Sequence, residues 1–205
     1  MTYNVTTITL RPGTAAQALA QIKAHVMAPA KPSGELLACW TSDIGALNQI
    51  LLIHRAGSAE QALAHRADLV LSDDPFGCRD VMTRLQTDTY RLLPFLGAIE
   101  TGAVGPVFEV RTYEVKAGGM APTIELWRKA VPDRVKLSPL LAGLYSVSGV
   151  AARFMHVWPY ASLDERARLR AKAVAEGIWP PPGGPAHLQV MQSDIYLPAD
   201  FSPLR

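Results

Sequence analysis

The chain has 205 residues, 49% of them hydrophobic, with 20 Lys and Arg against 18 Asp and Glu. A chain of this length buries about 70% of the surface its unfolded form exposes, so it holds a packed core without disulfides or metals. A net charge of +2 leaves no electrostatic footprint for nucleic acid or for an anionic membrane surface, and neither is expected as a partner.

The first residues, Met1-Thr2-Tyr3-Asn4-Val5, lack the basic start and apolar stretch of a signal peptide. Apolar runs such as residues 50–53 are far too short to span a bilayer. The sequence reads as soluble and cytoplasmic. Cys39 and Cys78 read as reduced thiols packed as small apolar side chains, with pairing between them left open.

In chain order, residues 5–10 are β-rich and flow into a glycine turn. A helix follows, with Thr14 and Gln17 at capping-box spacing and Ala15, Leu19, Ile22 and Val26 as its apolar stripe. Strands are predicted over 36–41 and 48–54. A second helix opens on the capping box of Ser58 and Gln61 and carries Ala59, Leu63, Arg66 and Val70 on one stripe. An extra helical turn within 75–83 precedes a strand near 85–92. The same order then restarts. A strand over 107–115 leads to a helix over 121–134, with Ile124, Trp127 and Val131 on one face and Pro132 bending or ending it. Strands over 140–147 and 153–158 follow, then a helix opened by Ser162 and Glu165, with Leu163, Ala167, Arg170 and Val174 as its stripe. Prolines 180, 181, 182 and 185 exclude a helix from 179–185, and a strand over 188–197 closes the chain.

Sliding the chain on itself explains the recurrence. Gly45 over Gly149 also brings Ile53 over Val157, Ser58 over Ser162, Arg66 over Arg170 and Val70 over Val174. One residue further, 8–13 falls over 113–118; one more, and Asp88-Thr89-Tyr90 meets Asp194-Ile195-Tyr196. Each half reads β-α-β-β-α-β, the ferredoxin-like order. One such unit leaves a sheet face bare of helices, and two can bury those faces against each other. The expected fold is therefore α+β: two ferredoxin-like βαββαβ repeats, over 1–100 and 106–205, packed sheet to sheet as an intrachain dimeric α+β barrel. Homodimerisation beyond this internal pairing stays open.

Residues 41–51, Thr-Ser-Asp-Ile-Gly-Ala-Leu-Asn-Gln-Ile-Leu, resemble the NIPSNAP stretch T-E-I-G-P-L-N-Q-V-V-H-L-W. Residues 109–118 resemble that family's opening E-L-R-T-Y-x-V-x-x-G, and Tyr160 through Arg166 with Arg170 is similar to its helix signature Y-x-S-x-x-E-R-x-x-x-R. The resemblance covers nearly the whole chain, once per half. It implies the dimeric α+β barrel fold, shared with cofactor-free monooxygenases of antibiotic biosynthesis. It implies no reaction, because the family has no generally established catalytic residues. The halves have diverged. The first keeps Asn48-Gln49 but has Leu52 and His54 where the pattern has His and Trp. The second keeps His156 and Trp158 but has Ala152 and Arg153 where the pattern has Asn and Gln.

Alternation puts Glu109, Arg111 and Tyr113 on one strand face. With the apolar face assigned to the helices, this trio is expected to point into the barrel interior. It reads either as an anion or carbonyl site, with Arg111 as donor and Tyr113 as orienting catalytic group, or as a structural ion pair. His156, flanked on its face by Phe154 and Trp158, reads as a general base or ligand contact, or as a core histidine. Arg66 and Arg170 either close the pocket or form ion pairs and caps. Asn48 and Trp158 complete the ligand-binding candidates, and 166–172 reads as a solvated basic face. No metal-ligand spacing, nucleophile elbow, Walker loop or dinucleotide fingerprint occurs, so no cofactor is expected. The leading functional expectation is one asymmetric site, weighted to the second half, binding a small polar or anionic organic molecule in the barrel cavity. The alternatives are a cofactor-independent monooxygenase or isomerase acting on an aromatic substrate, and a non-enzymatic adaptor.

Overall fold

A computed structural model describes residues 1–28, 34–150 and 152–205. The elements follow the predicted order twice. The first unit contains β1 (Thr2–Leu10), α1 (Ala15–Val26), β2 (Glu35–Ile44), β3 (Gln49–Ala56), α2 (Ala59–Leu71) and β4 (Met82–Leu92). The second contains β5 (Val107–Val115), α3 (Met120–Arg134), β6 (Ala142–Ser146), β7 (Arg153–Tyr160), α4 (Leu163–Ala175) and β8 (Leu188–Pro198). Single 3₁₀ turns stand at Pro75–Gly77 and Gly184–His187, the latter taking up the end of the proline-rich loop.

The eight strands close into one antiparallel barrel in the order β1-β3-β2-β8-β5-β7-β6-β4. Two seams join the units: β2 with β8, and β4 with β6. The barrel interior is the buried junction. Tyr3, Val5, Trp40, Leu51, Ile53, Phe108, Val110, Met155 and Val157 pack within it, and the Trp40 and Phe108 rings stack at 4.1 Å. Burying a large apolar side chain is worth about 1.5–3 kcal/mol. Exposing Trp40, Phe108, Leu51, Ile53 and Val157 alone would cost roughly 10 kcal/mol, as much as a whole domain's stability. The two units therefore form one cooperative body.

An Asp from each unit meets the β-hairpin of the other. The Asp194 Oδ1 accepts from the Ala46 amide at 2.9 Å, in the hairpin between β2 and β3. Asp88 approaches Gly149 in the hairpin between β6 and β7. Gly45 has φ +109° and Gly149 +72°, and a Cβ on either would collide with the facing carboxylate.

Outside the barrel each unit has a helix layer. The predicted capping boxes hold for the second helix of each unit. Ser58 Oγ accepts from Gln61 N and Ser162 Oγ from Glu165 N, both at 3.1 Å, while the Gln61 and Glu165 side chains accept from Gly57 N and Ala161 N. Thr14 departs from its prediction: its hydroxyl donates to the Arg11 carbonyl at 2.7 Å and caps nothing. The stripes expected on the second helices are rotated. Leu63, Val70 and Val174 are exposed, and the helices bury Ala62, His65 and Leu69 in α2 and Leu169 and Ala173 in α4. Cys39 and Cys78 are free thiols buried in the first unit's helix–sheet layer. Among the described residues, no helix is long and apolar enough to cross a membrane.

Candidate functional site

On β5 the inward face carries Phe108 and Val110, and the outward face carries Glu109, Arg111 and Tyr113. This reverses the orientation expected from the sequence. Both faces of the strand are covered, so neither needs to be polar. The interior takes the face of Phe108 and Val110, which runs on to Thr112 and Glu114 at the barrel's open end, while the sheet–helix gap receives guanidiniums from α3 and α4. His156 and Trp158 on β7 lie on the same outer face as the trio.

Glu109 is the centre of the group, with no exposed side-chain surface. Its Oε1 accepts from Arg111 at 3.1 Å, Arg166 at 2.7 Å and Ser193 at 2.8 Å, and Arg170 lies 3.5 Å from Oε2. Burial pushes its carboxyl up, but the Arg166 hydrogen bond, the charges of Arg170 and Arg111 and the Ser193 hydroxyl outweigh it. The net result lies below the usual carboxylate value. Arg111 Nε donates to the Tyr113 hydroxyl at 2.6 Å, which fixes the phenol beside the guanidinium. Arg134, the last residue of α3, is also buried. It donates to Ser138 Oγ at 2.7 Å and stacks 4.3 Å from the Trp158 ring.

The charge does not balance. Arg111, Arg134, Arg166 and Arg170 bring four positive charges, and the one carboxylate that Arg111, Arg166 and Arg170 share, Glu109, brings one negative, which leaves a surplus of three positive charges among the described residues. His156 adds none. Burial, then the charges of Arg111, Arg170 and Arg134, hold its imidazole well below its ordinary value, so it stays neutral. Trp158 Nε1 can only donate, and it meets His156 Nδ1 at 2.7 Å, which leaves the imidazole proton on Nε2. His156 is 1% exposed, and its ring lies against Trp127 and Tyr113, with centroids 4.6 and 4.9 Å away.

A pocket of about 210 Å³ opens beside this cluster. Arg111, Tyr113 and Arg170 form its polar wall, and Trp127, Trp179, Pro180, Pro181 and Met191 its apolar one. The proline-rich loop thus forms one side of the pocket. Of the residues singled out from sequence, Glu109, Arg111, Tyr113, His156, Trp158 and Arg170 come together here. Asn48 does not: it is exposed in the β2–β3 turn at φ +55°, a conformation that asparagine tolerates. Arg166, read from sequence as part of a solvated face, reaches the buried carboxylate, whereas Arg168 and Lys172 stay in water. Arg134 was not singled out either. Its spacing of three and seven from Val131 and Trp127 was the available signal, since it places a charge on the buried stripe of α3.

The first unit has no such cluster among the described residues. Asn4 stands where Glu109 stands, and its amide is satisfied by the Ala62 carbonyl at 2.8 Å and by Thr89 at 2.9 Å. Ile8, Leu52 and Phe76 pack the surrounding space. Arg66, the counterpart of Arg170, donates to Ser148 across the seam and to Thr89 of its own unit.

The NIPSNAP family profile matches residues 3–93 and again 108–203. The chain is 26% identical over 185 residues to Protein NipSnap of Drosophila melanogaster, covering 83% of this chain. It is 23% identical over 144 residues to a NipSnap homolog of Dictyostelium discoideum, covering 70% of this chain. In each case the match spans 65% of the relative's length. Among solved structures, an anthrone oxidase-like protein superposes with a TM-score of 0.63 over 97% of this chain and 91% of its own, at 13% identity. That likeness speaks for the fold and for no reaction. The chain belongs to the NIPSNAP family, as two family units fused in tandem.

Proposed function

We propose that this two-unit NIPSNAP chain binds a small organic anion with a flat apolar body, in the pocket beneath α3 and α4. The observation that carries the reading is the pair of partly buried guanidiniums, Arg111 and Arg170, on the wall of a mostly apolar pocket, backed by a cluster in which four arginines share one carboxylate. Desolvated charge of one sign is costly without a counter-ion. An arginine pair such as Arg111 and Arg170 suits a planar oxyanion, which a guanidinium can hold by two parallel hydrogen bonds. Trp127, Trp179 and the two prolines supply flat apolar walls for a ring. Behind that wall, neutral His156 packs against Trp127 and Tyr113 and adds no charge of its own.

Calorimetric titration with 2-naphthoate and its neutral isostere 2-naphthamide tests this. The acid should bind about ten- to a hundredfold tighter than the amide, as expected for one or two charge-assisted hydrogen bonds. Arg170→Gln should abolish that preference, and Arg66→Gln, at the equivalent position of the first unit, should leave it unchanged. Equal affinity for acid and amide would remove the basis for the reading.

A further inference from the structure

A second cavity, of about 240 Å³, lies inside the barrel and is separate from the anion pocket. It opens at the end where Glu114, Val190 and Gln192 are exposed. Its lining is built in equivalent pairs from the two units: Thr7 with Thr112, Gln86 with Gln192, and Asp88 with Asp194. The cavity therefore lies on the pseudo-two-fold axis and exists only because the units are joined. These pairs are identical across the duplication, whereas the outer-face positions have diverged, Asn4 from Glu109 and Leu52 from His156. Among the lining pairs, Leu51 has become Met155 in the second unit, and one pair changes charge: Gln49 in the first unit stands where Arg153 stands in the second.

That exchange leaves an uneven charge pattern. Asp88 is paired with the Arg153 guanidinium at 2.7 Å. Asp194 is as buried as Asp88, but its partners are neutral: the Gln192 amide at 2.8 Å and the Ala46 N–H at 2.9 Å. Gln49 is uncharged, and its Oε1 lies 3.4 Å from the Tyr196 hydroxyl. Of the other charged groups near the cavity, Glu114 stands opposite Arg153 on the neighbouring strand and Arg84 donates to Gln86 at the rim. Asp194 thus lacks the cation that its symmetry mate has. Among the described residues no group of three or more His, Cys, Asp or Glu is arranged to hold a metal ion.

We infer that the axial cavity is a binding site for a small organic cation, a guanidinium or primary ammonium, seated on Asp194 as the Arg153 guanidinium is seated on Asp88. The ligand's charged end fills the position that Gln49 leaves open. Thr7, Thr112 and Gln86 offer hydroxyl and amide groups to its body. This site is independent of the anion pocket, since it lies on the opposite face of the same strands.

The test is calorimetric titration of the full chain with n-butylguanidinium and its neutral isostere n-butylurea. Wild type should bind the cation and take the urea at least about tenfold more weakly, the loss expected for a charge-assisted hydrogen bond. Asp194→Asn should weaken the cation by a similar factor. Gln49→Arg supplies the missing guanidinium from the chain itself, so it should block the probe while leaving the Asp194–Ala46 hydrogen bond in place. This second variant carries the test if Asp194→Asn fails to fold. Equal affinity for the two probes, no binding to wild type, or undiminished binding to Gln49→Arg would each overturn the assignment.

Discussion

Glu109→Gln is the most informative single change to the helix–sheet site. Among the described residues Glu109 is the only carboxylate within the arginine cluster, and its side chain is fully buried. Removing one partner from a fully desolvated ion pair costs about 3–5 kcal/mol, because the other charge is left buried and unpaired. Here the side chains of Arg111, Arg166 and Arg170 keep 15%, 27% and 34% of their exposure, so each can recover some hydration. The expected loss is therefore smaller, about 2–3 kcal/mol. Urea denaturation at neutral pH, followed by tryptophan fluorescence, reads it as a lower midpoint at unchanged slope. Glu125→Gln is the control, since Glu125 pairs with Arg128 in water on α3, and it should cost under about 0.5 kcal/mol. The same Glu109→Gln protein should bind 2-naphthoate more tightly, because a fourth guanidinium loses its counter-charge. A stability within about 0.5 kcal/mol of wild type would refute the claim that Glu109 holds the cluster together.

The remaining predictions concern capping, backbone and pH. Ser58→Ala and Ser162→Ala should each cost about 1 kcal/mol in urea denaturation, because each hydroxyl caps its helix. Thr14→Ala should cost much less, since its hydroxyl turns back to Arg11. Gly45→Ala should destabilise more than Gly13→Ala in a thermal melt: both sites have positive φ, but only at Gly45 does the new methyl strike a carboxylate. Burial lowers the folded-state values of both His156 and His65 from the ordinary 6.5. The unfolded chain then takes up protons first as pH falls through about 6.5, so their stabilising effect is present above that pH and is lost below it. Urea midpoints should drop between pH 7 and pH 5.5, and His156→Asn should flatten that slope; an unchanged slope would show that His156 does not titrate this way.

What was legible in the sequence was whatever depends on local pattern. The duplication, the element order and the Ser58 and Ser162 caps follow from spacing, and spacing survives folding unchanged. The orientation of β5 was not legible. Alternation separates Glu109, Arg111 and Tyr113 from Phe108 and Val110, but it names an inside only when one face meets water, and here both are covered. Arg166 was hidden for a related reason, whereas Arg170 showed itself by standing on the helix stripe. A helix rich in Arg and Lys looks solvated until a buried carboxylate on another strand makes two of its arginines turn inward. Asn48, read as a ligand contact from its place in a family motif, stands apart from the pocket, in a turn position with φ +55°.

The measurement that bears most directly on the proposed function is a crystal structure of the chain with 2-naphthoate. The expected result is one ligand per chain, its carboxylate within hydrogen-bond reach of Arg111 and Arg170 and its rings between Trp127 and Trp179. Ligand density inside the barrel, or beneath α1 and α2 of the first unit, would contradict it.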